Sequence, residues 1–191
     1  MATKRKRNPL TLADMVLLSL LAERPRHGYD ANQELERRQV RDWAGISRPQ
    51  IYYSLQKLAA AGLLRVARGP GAACGPERHV YATTEAGRRA LAEGLGRPEW
   101  SERRERPPFL AWLALSWQAQ PGVFRQQCAR REGFLRSEIS REEADLASVI
   151  AEVRTADHEA AWMIRLMLAQ MRTELAWLAE LRGSRLSRGG Q

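Results

Sequence analysis

The chain has 191 residues, 44% hydrophobic and 28% charged, with 31 Lys and Arg against 22 Asp and Glu for a formal net charge of +9. That balance fits one or two folded domains and excludes collagen-like, mucin-like and disordered compositions. The two cysteines, Cys74 and Cys128, make no disulfide framework and point to a reducing compartment.

The longest apolar run near the start, Met15 to Ala22, is far shorter than a membrane-spanning helix needs. Although Lys4, Arg5, Lys6 and Arg7 precede it, no A-x-A cleavage site follows, so the expected compartment is the cytoplasm. Charge is uneven. Residues 1–95 carry 16 basic and 9 acidic side chains, and residues 96–191 carry 15 and 13. Polyanion binding, where it exists, therefore belongs to the first half; an arginine-rich composition without function gives the same surplus, since 28 of the 31 basic residues are Arg.

In chain order, Leu12 to Glu23 is apolar nearly all round and predicts a buried helix ended by Pro25. Gly28 to Arg38 predicts a second helix with Tyr29, Ala31 and Leu35 inward. Ser47-Arg48-Pro49-Gln50 is a capping box with proline in the first turn, so a third helix starts at Ser47 and runs to about Ala61, where Gly62 stops it. Leu63 to Arg68 and Arg78 to Thr83 read as a hairpin joined by a Gly/Pro-rich tip, and Thr84 caps a further helix. Gly94 to Pro108, with three prolines and two glycines, reads as a linker. The implied division is a mixed helix-and-strand domain over 1–95 with a basic arm, a linker over 96–108, a helical domain over 109–183 and a disordered tail over 184–191.

The second part predicts helices over Phe109 to Trp117, Gly122 to Arg154 and Asp157 to Leu181. Apolar residues in the middle one recur at spacings of four and seven, a coiled-coil-like seam. In the last, Ile164, Leu168, Met171, Leu175 and Leu178 form one stripe, while Trp162, Leu166, Trp177 and Leu181 widen the apolar surface. One partner helix covers one stripe, so a second chain is expected to cover the rest, with the Ile164 to Leu178 stripe as the dimer seam.

Function concentrates in the third helix. Ile51, Leu55 and Leu58 face the core, and Gln50, Tyr53 and Lys57 fall away from it, with Ser47 and Arg48 at the helix start. Such a face can donate to phosphates and read base edges, as Gln does with adenine and Arg with guanine; an ordinary solvated face has the same residue types. The surrounding elements decide for a winged helix-turn-helix, with Arg65, Arg68 and Arg78 at the base of the wing and the Lys4 to Arg7 arm adding phosphate contacts. The expected fold class is mainly α with a small β-hairpin: this winged domain followed by a helical dimerisation domain.

Three blocks, L-L-A-E-R-P-R-H-G-Y-D (Leu20 to Asp30), S-R-P-Q-I-Y-Y-S-L-Q-K-L-A-A-A-G-L-L (Ser47 to Leu64) and H-V-Y-A-T-T-E-A-G-R-R-A-L (His79 to Leu91), together resemble the PadR family of transcriptional regulators, in its longer C-terminal subgroup. The resemblance implies a winged-helix DNA-binding domain, a helical dimerisation domain and a cytoplasmic, nucleoid-associated homodimer. It also implies action as a repressor relieved by a small molecule; as a homodimer, the protein is expected to set two copies of the Ser47 helix into successive major grooves of a pseudo-palindromic DNA operator. Many members have Gly-Thr-Leu-Tyr-Pro where this chain has Gln50-Ile51-Tyr52-Tyr53, so Tyr53 stands in place of a proline and no operator sequence carries over.

His27, His79 and His158 lie far apart and no catalytic, metal or cofactor motif accompanies them, so no enzyme, metal or cofactor is expected. Cys74, in the wing tip, allows redox sensing but has no resolving partner nearby. Trp112, Trp117, Trp162 and Trp177 suit either helix packing or a pocket for a hydrophobic or phenolic effector. A helical protein-protein adaptor and a non-specific architectural nucleic-acid-binding protein stay open as alternatives.

Overall fold

The chain divides into two compact units, Met1–Arg104 and Glu105–Gln191, and a computed structural model describes residues 9–68, 79–103, 106–120 and 122–188.

In the first unit, α1 (Leu12–Glu23) begins at a capping box that the sequence reading missed. The Thr11 N–H donates to Asp14 Oδ2 at 2.7 Å, and the Asp14 N–H donates to Thr11 Oγ1 at 3.3 Å. Arg24, preceding Pro25, is extended, as a residue before proline prefers. The chain stays extended through a two-residue strand, β1 (Arg26–His27), also absent from the sequence reading. Then come α2 (Gly28–Arg37) and a short unexpected helix, α3 (Val40–Ala44), set between the left-handed residues Gln39 and Gly45. Next is α4 (Arg48–Ala60), which Gly62 ends at φ +71, a conformation costly to any residue with a Cβ. The hairpin strands β2 (Leu64–Arg68) and β3 (His79–Thr83) and the helix α5 (Glu85–Leu95) follow.

The strands form one antiparallel sheet in the order β1-β3-β2, with Arg26 opposite Tyr81 and Arg68 opposite His79. Leu17, Leu18, Leu20 and Leu21 of α1 meet Leu35, Ile51, Leu55, Leu58 and Tyr81 in a single core. Each fully buried leucine contributes about 1.5–3 kcal/mol, so this core fixes which side of α4 turns outward. The sheet is pinned to α5 by Thr84, whose hydroxyl donates to Gly62 O (2.9 Å) and Leu63 O (3.0 Å) and accepts from the Gly87 N–H. A Cβ at Gly87 would lie 2.3 Å from the Leu63 carbonyl oxygen, so only glycine allows this approach.

The second unit contains α6 (Pro108–Leu115), a 3-10 turn over Ser116–Gln118, and the long helices α7 (Val123–Val153) and α8 (Glu159–Arg188). Arg154, at φ +56, begins the short connection that folds α8 back on α7. Cross-helix ion pairs join them: Arg131 donates twice to Glu174 at 2.8 Å, and Arg182 pairs with Glu132 at 2.8 Å. The Arg131 guanidinium also lies over the rings of Phe109 and Phe134, 5.4 and 5.3 Å from their centroids.

Two expectations need correction here. First, α8 continues past Leu181 to Arg188, so residues 184–188 are helical rather than a disordered tail. Gly183 costs a helix about 1 kcal/mol, but no proline stops propagation. Second, the stripe assigned to the dimer seam is covered by its own chain. Leu178 packs with Cys128 and Leu135 of α7, Met171 and Leu175 pack against the same cluster, and Ile164 and Leu168 are buried within the chain. The short connection brings α7 onto that stripe, and among the described residues the large apolar side chains left exposed on α8 are Trp162, Leu166 and Trp177.

An acid-sensitive cluster joins the C-terminal ends of α1 and α2. Glu34 accepts from Arg37 Nη2 at 2.8 Å and from Arg38 Nε at 2.7 Å, while the Arg38 Nη atoms donate to Glu23. The Arg37 hydrogen bonds, followed by those from Arg38, outweigh the opposing effect of burial and hold the Glu34 carboxyl at about 2, below its ordinary 4.5. A depressed carboxylate stabilises the fold above its ordinary pKa and loses that contribution as pH falls through the folded value. The urea midpoint is therefore expected to drop between pH 4.5 and about 2. Glu34→Gln should lower the midpoint at neutral pH and flatten that acid limb, as followed by circular dichroism.

Candidate nucleic-acid interface

The start of α4 is held by Ser47 and Gln50. The Ser47 N–H donates to Gln50 Oε1 at 2.7 Å, and the Ser47 hydroxyl donates to the same oxygen at 2.8 Å. Pro49 sits in the first turn, where its missing N–H costs no hydrogen bond. The Gln50 carbonyl oxygen is thus engaged in starting the helix. A bidentate contact with adenine needs that oxygen and the amide nitrogen together, so capping and base reading compete for one group.

Lys57 departs further from its expected role. It is 31% exposed, and its Nζ donates to Asp14 Oδ2 at 2.5 Å, a carboxylate with no exposed surface. Burial alone would raise the Asp14 pKa. The hydrogen bonds from Lys57 and the Thr11 N–H, with the neighbouring Thr11 and Ser54 hydroxyls, outweigh it and lower the carboxyl below its ordinary value. Lys57 therefore ties α4 to α1 and is not an outward phosphate ligand, a correction to the sequence reading. The physical reason is angular: at 100° per residue, with the buried Ser54 counted alongside Ile51, Leu55 and Leu58, position 50 lies roughly 90° and position 57 roughly 110° from the core direction, on the flanks of the helix.

The positions pointing most directly away from that core are Pro49, Tyr53, Gln56 and Ala60, all exposed. Tyr53 is 68% exposed. Gln56 escaped the sequence reading, although its position three residues after Tyr53 places it on the same face. Arg48 is exposed at the helix start, its guanidinium 5.7 Å from the centroid of the half-buried Tyr52 ring. In the hairpin, Arg65 is exposed on β2 opposite Ala82 of β3, and the Arg68 backbone closes β2 opposite His79. Lys4, Arg5, Lys6, Arg7, Arg78 and Cys74 lie outside the described residues.

The four tryptophans do not come together. Trp112 stacks on Phe109 (5.2 Å) and Phe124 (5.7 Å) within the core of the helical unit, and Trp117 is 75% exposed. Trp162 and Trp177 are fifteen positions apart on α8, about 22 Å along the axis. A pocket shared by all four within the unit is thereby excluded. Among the described residues no group of His, Cys, Asp or Glu could hold a metal ion, and no helix is long and apolar enough to cross a membrane.

A helix with an exposed outward face, preceded by α1, α2 and the short α3 and followed by a hairpin paired to a third strand, is a winged helix-turn-helix. Residues 17–93 match the family model of the transcriptional regulator PadR-like family. The winged domain is thus similar to the PadR-like family. Members of this family are transcriptional regulators rather than enzymes. The whole chain shares its fold with PadR solved structures. Bacillus subtilis PadR in complex with operator DNA is 16% identical, with TM-score 0.75 over 91% of this chain and 97% of that one. The Vibrio cholerae virulence activator AphA is 24% identical, with TM-score 0.69 over 92% and 99%. Bacillus subtilis PadR in complex with p-coumaric acid is 15% identical, with TM-score 0.60 over 92% and 96%. No curated protein matches the chain.

The helix-start and helix-anchor roles make separable claims on stability. Gln50→Ala should cost about 1 kcal/mol by removing the cap. Asp14→Ala should cost about 3 kcal/mol, because it removes the partner of a partly buried cation together with the α1 cap. Urea unfolding followed by far-ultraviolet circular dichroism measures both.

Proposed function

We propose that the protein is a homodimeric, sequence-specific transcriptional repressor that sets two copies of α4 into successive major grooves of a pseudo-palindromic operator. A small hydrophobic or phenolic effector releases it. The observation carrying this reading is the outward face of α4, polar and uncovered, inside a winged domain of a regulator family. Residues 1–95 hold seven more basic than acidic side chains, which favours a polyanion. Arg48 at the helix start, Arg65 and Arg68 on β2, Arg78 and the Lys4 to Arg7 arm are the proposed phosphate contacts. The operator complex of the Bacillus subtilis neighbour supports DNA as the ligand, and its p-coumaric acid complex supports a phenolic effector.

Dimerisation is supported by the apolar surface that α7 and α8 leave uncovered. Trp162, Leu166 (60% exposed) and Trp177 on α8, with Phe134 on α7, are large side chains that a two-helix hairpin does not bury by itself. Their cover by the same surface of a second copy would relate the two winged domains by a twofold axis, matching two half-sites.

Selection from a random duplex pool tests the reading: enrichment of an inverted repeat is expected, and equal recovery of all sequences would leave only non-specific binding. Arg65→Ala should weaken binding to every sequence alike and reduce the salt slope by about one. Leu166→Glu should convert the dimer to a folded monomer in sedimentation, because a charge on the exposed seam opposes its burial.

A further inference from the structure

We infer that base preference is set by Tyr53 and Gln56, and that this pair reads an adenine-thymine step in each half-site. The inference rests on the DNA-binding reading above and names which groups of α4 perform it.

The assignment follows from what each polar group on α4 is already doing. Gln50 Oε1 accepts two hydrogen bonds from Ser47, and Lys57 Nζ is bonded to the buried Asp14. The Arg48 guanidinium lies over Tyr52 at the helix start. Among the described residues the Tyr53 hydroxyl and the Gln56 amide have no hydrogen-bond partner, and both lie opposite the core. They are three residues apart, so their side chains are neighbours displaced by about 4.5 Å along the axis. That spacing is close to one base-pair step of about 3.4 Å, so the two can meet adjacent pairs.

Chemistry then selects the bases. A primary amide with both oxygen and nitrogen available matches adenine in the major groove, accepting from N6 and donating to N7. An exposed phenol ring offers an apolar edge, for which the thymine methyl is the complementary feature of the groove. Guanine, by contrast, is read by Arg or Lys, and Lys57 is held back by Asp14.

The test compares the full-length protein with Gln56→Ala, Gln56→Glu, Tyr53→Ala and Gln50→Ala in the same random-duplex selection, each variant checked for folding by its melting temperature. The wild type should enrich half-sites containing an adenine-thymine step. Gln56→Ala should lose that preference by about tenfold, the scale of one bidentate base contact. Gln56→Glu should move it toward cytosine, whose N4 amino group donates to a carboxylate. Tyr53→Ala should relax the adjacent position, and Gln50→Ala should melt lower with an unchanged preference. If the wild type enriches one motif and the Gln56 variants enrich that same motif, this assignment is overturned while the DNA-binding reading stands. If the wild type enriches nothing, both fall.

Discussion

The orientation of α4 depends on one buried carboxylate. Apolar packing places α4 against α1, but that attraction is non-directional and tolerates rotation about the helix axis. The Asp14 to Lys57 bond has a direction: it joins a side chain with no exposure on α1 to the flank of α4 forty-three residues later. Asp14 also holds the Thr11 cap, so the beginning of α1 and the rotation of α4 are settled by the same group. Burying a carboxylate is unfavourable, and only the convergence of Lys57, Thr11 and Ser54 keeps it charged.

Legibility in the sequence followed the range of the interaction involved. The helices α1, α2, α4 and α5 and the hairpin could be read because their signals are local: apolar period, Ser47 and Thr84 caps, and Gly62 as a stop. The strand β1 could not, since two residues carry no period and Arg26–His27 is a strand only by pairing with Tyr81 and Val80. Nor could α3, five residues bounded by left-handed Gln39 and Gly45, where glutamine gives no hint of that backbone. On the candidate interface Tyr53 was legible from helical phase. Lys57 was misread because its partner lies forty-three residues away, and no spacing within one helix reveals such a pair.

The helical unit shows the same limit from the opposite side. Two apolar stripes on α8 imply two covers, and periodicity cannot say which cover is which. Chain connectivity decides: α7, joined through Arg154 and a few further residues, takes the Ile164, Leu168 and Leu178 stripe. The ion pairs Arg131–Glu174 and Arg182–Glu132 then fix its register. What is left for any second molecule is the adjoining face with Trp162, Leu166 and Trp177, so the stripe with the cleaner heptad period is the intramolecular one.

The departure at Tyr53 gains a physical meaning from this arrangement. A proline inside a helix removes one backbone hydrogen bond and presents a ring with no polar atom. This chain's proline in α4 is Pro49, in the first turn, where no bond is lost, and position 53 is left for a long side chain with a polar tip. The stiffening of the helix start is thus supplied by Pro49 together with the Ser47–Gln50 cap. Once the start is held in that way, Gln50 is committed, and the side chains that no cap and no ion pair has engaged, Tyr53 and Gln56, lie one to two turns further along the helix.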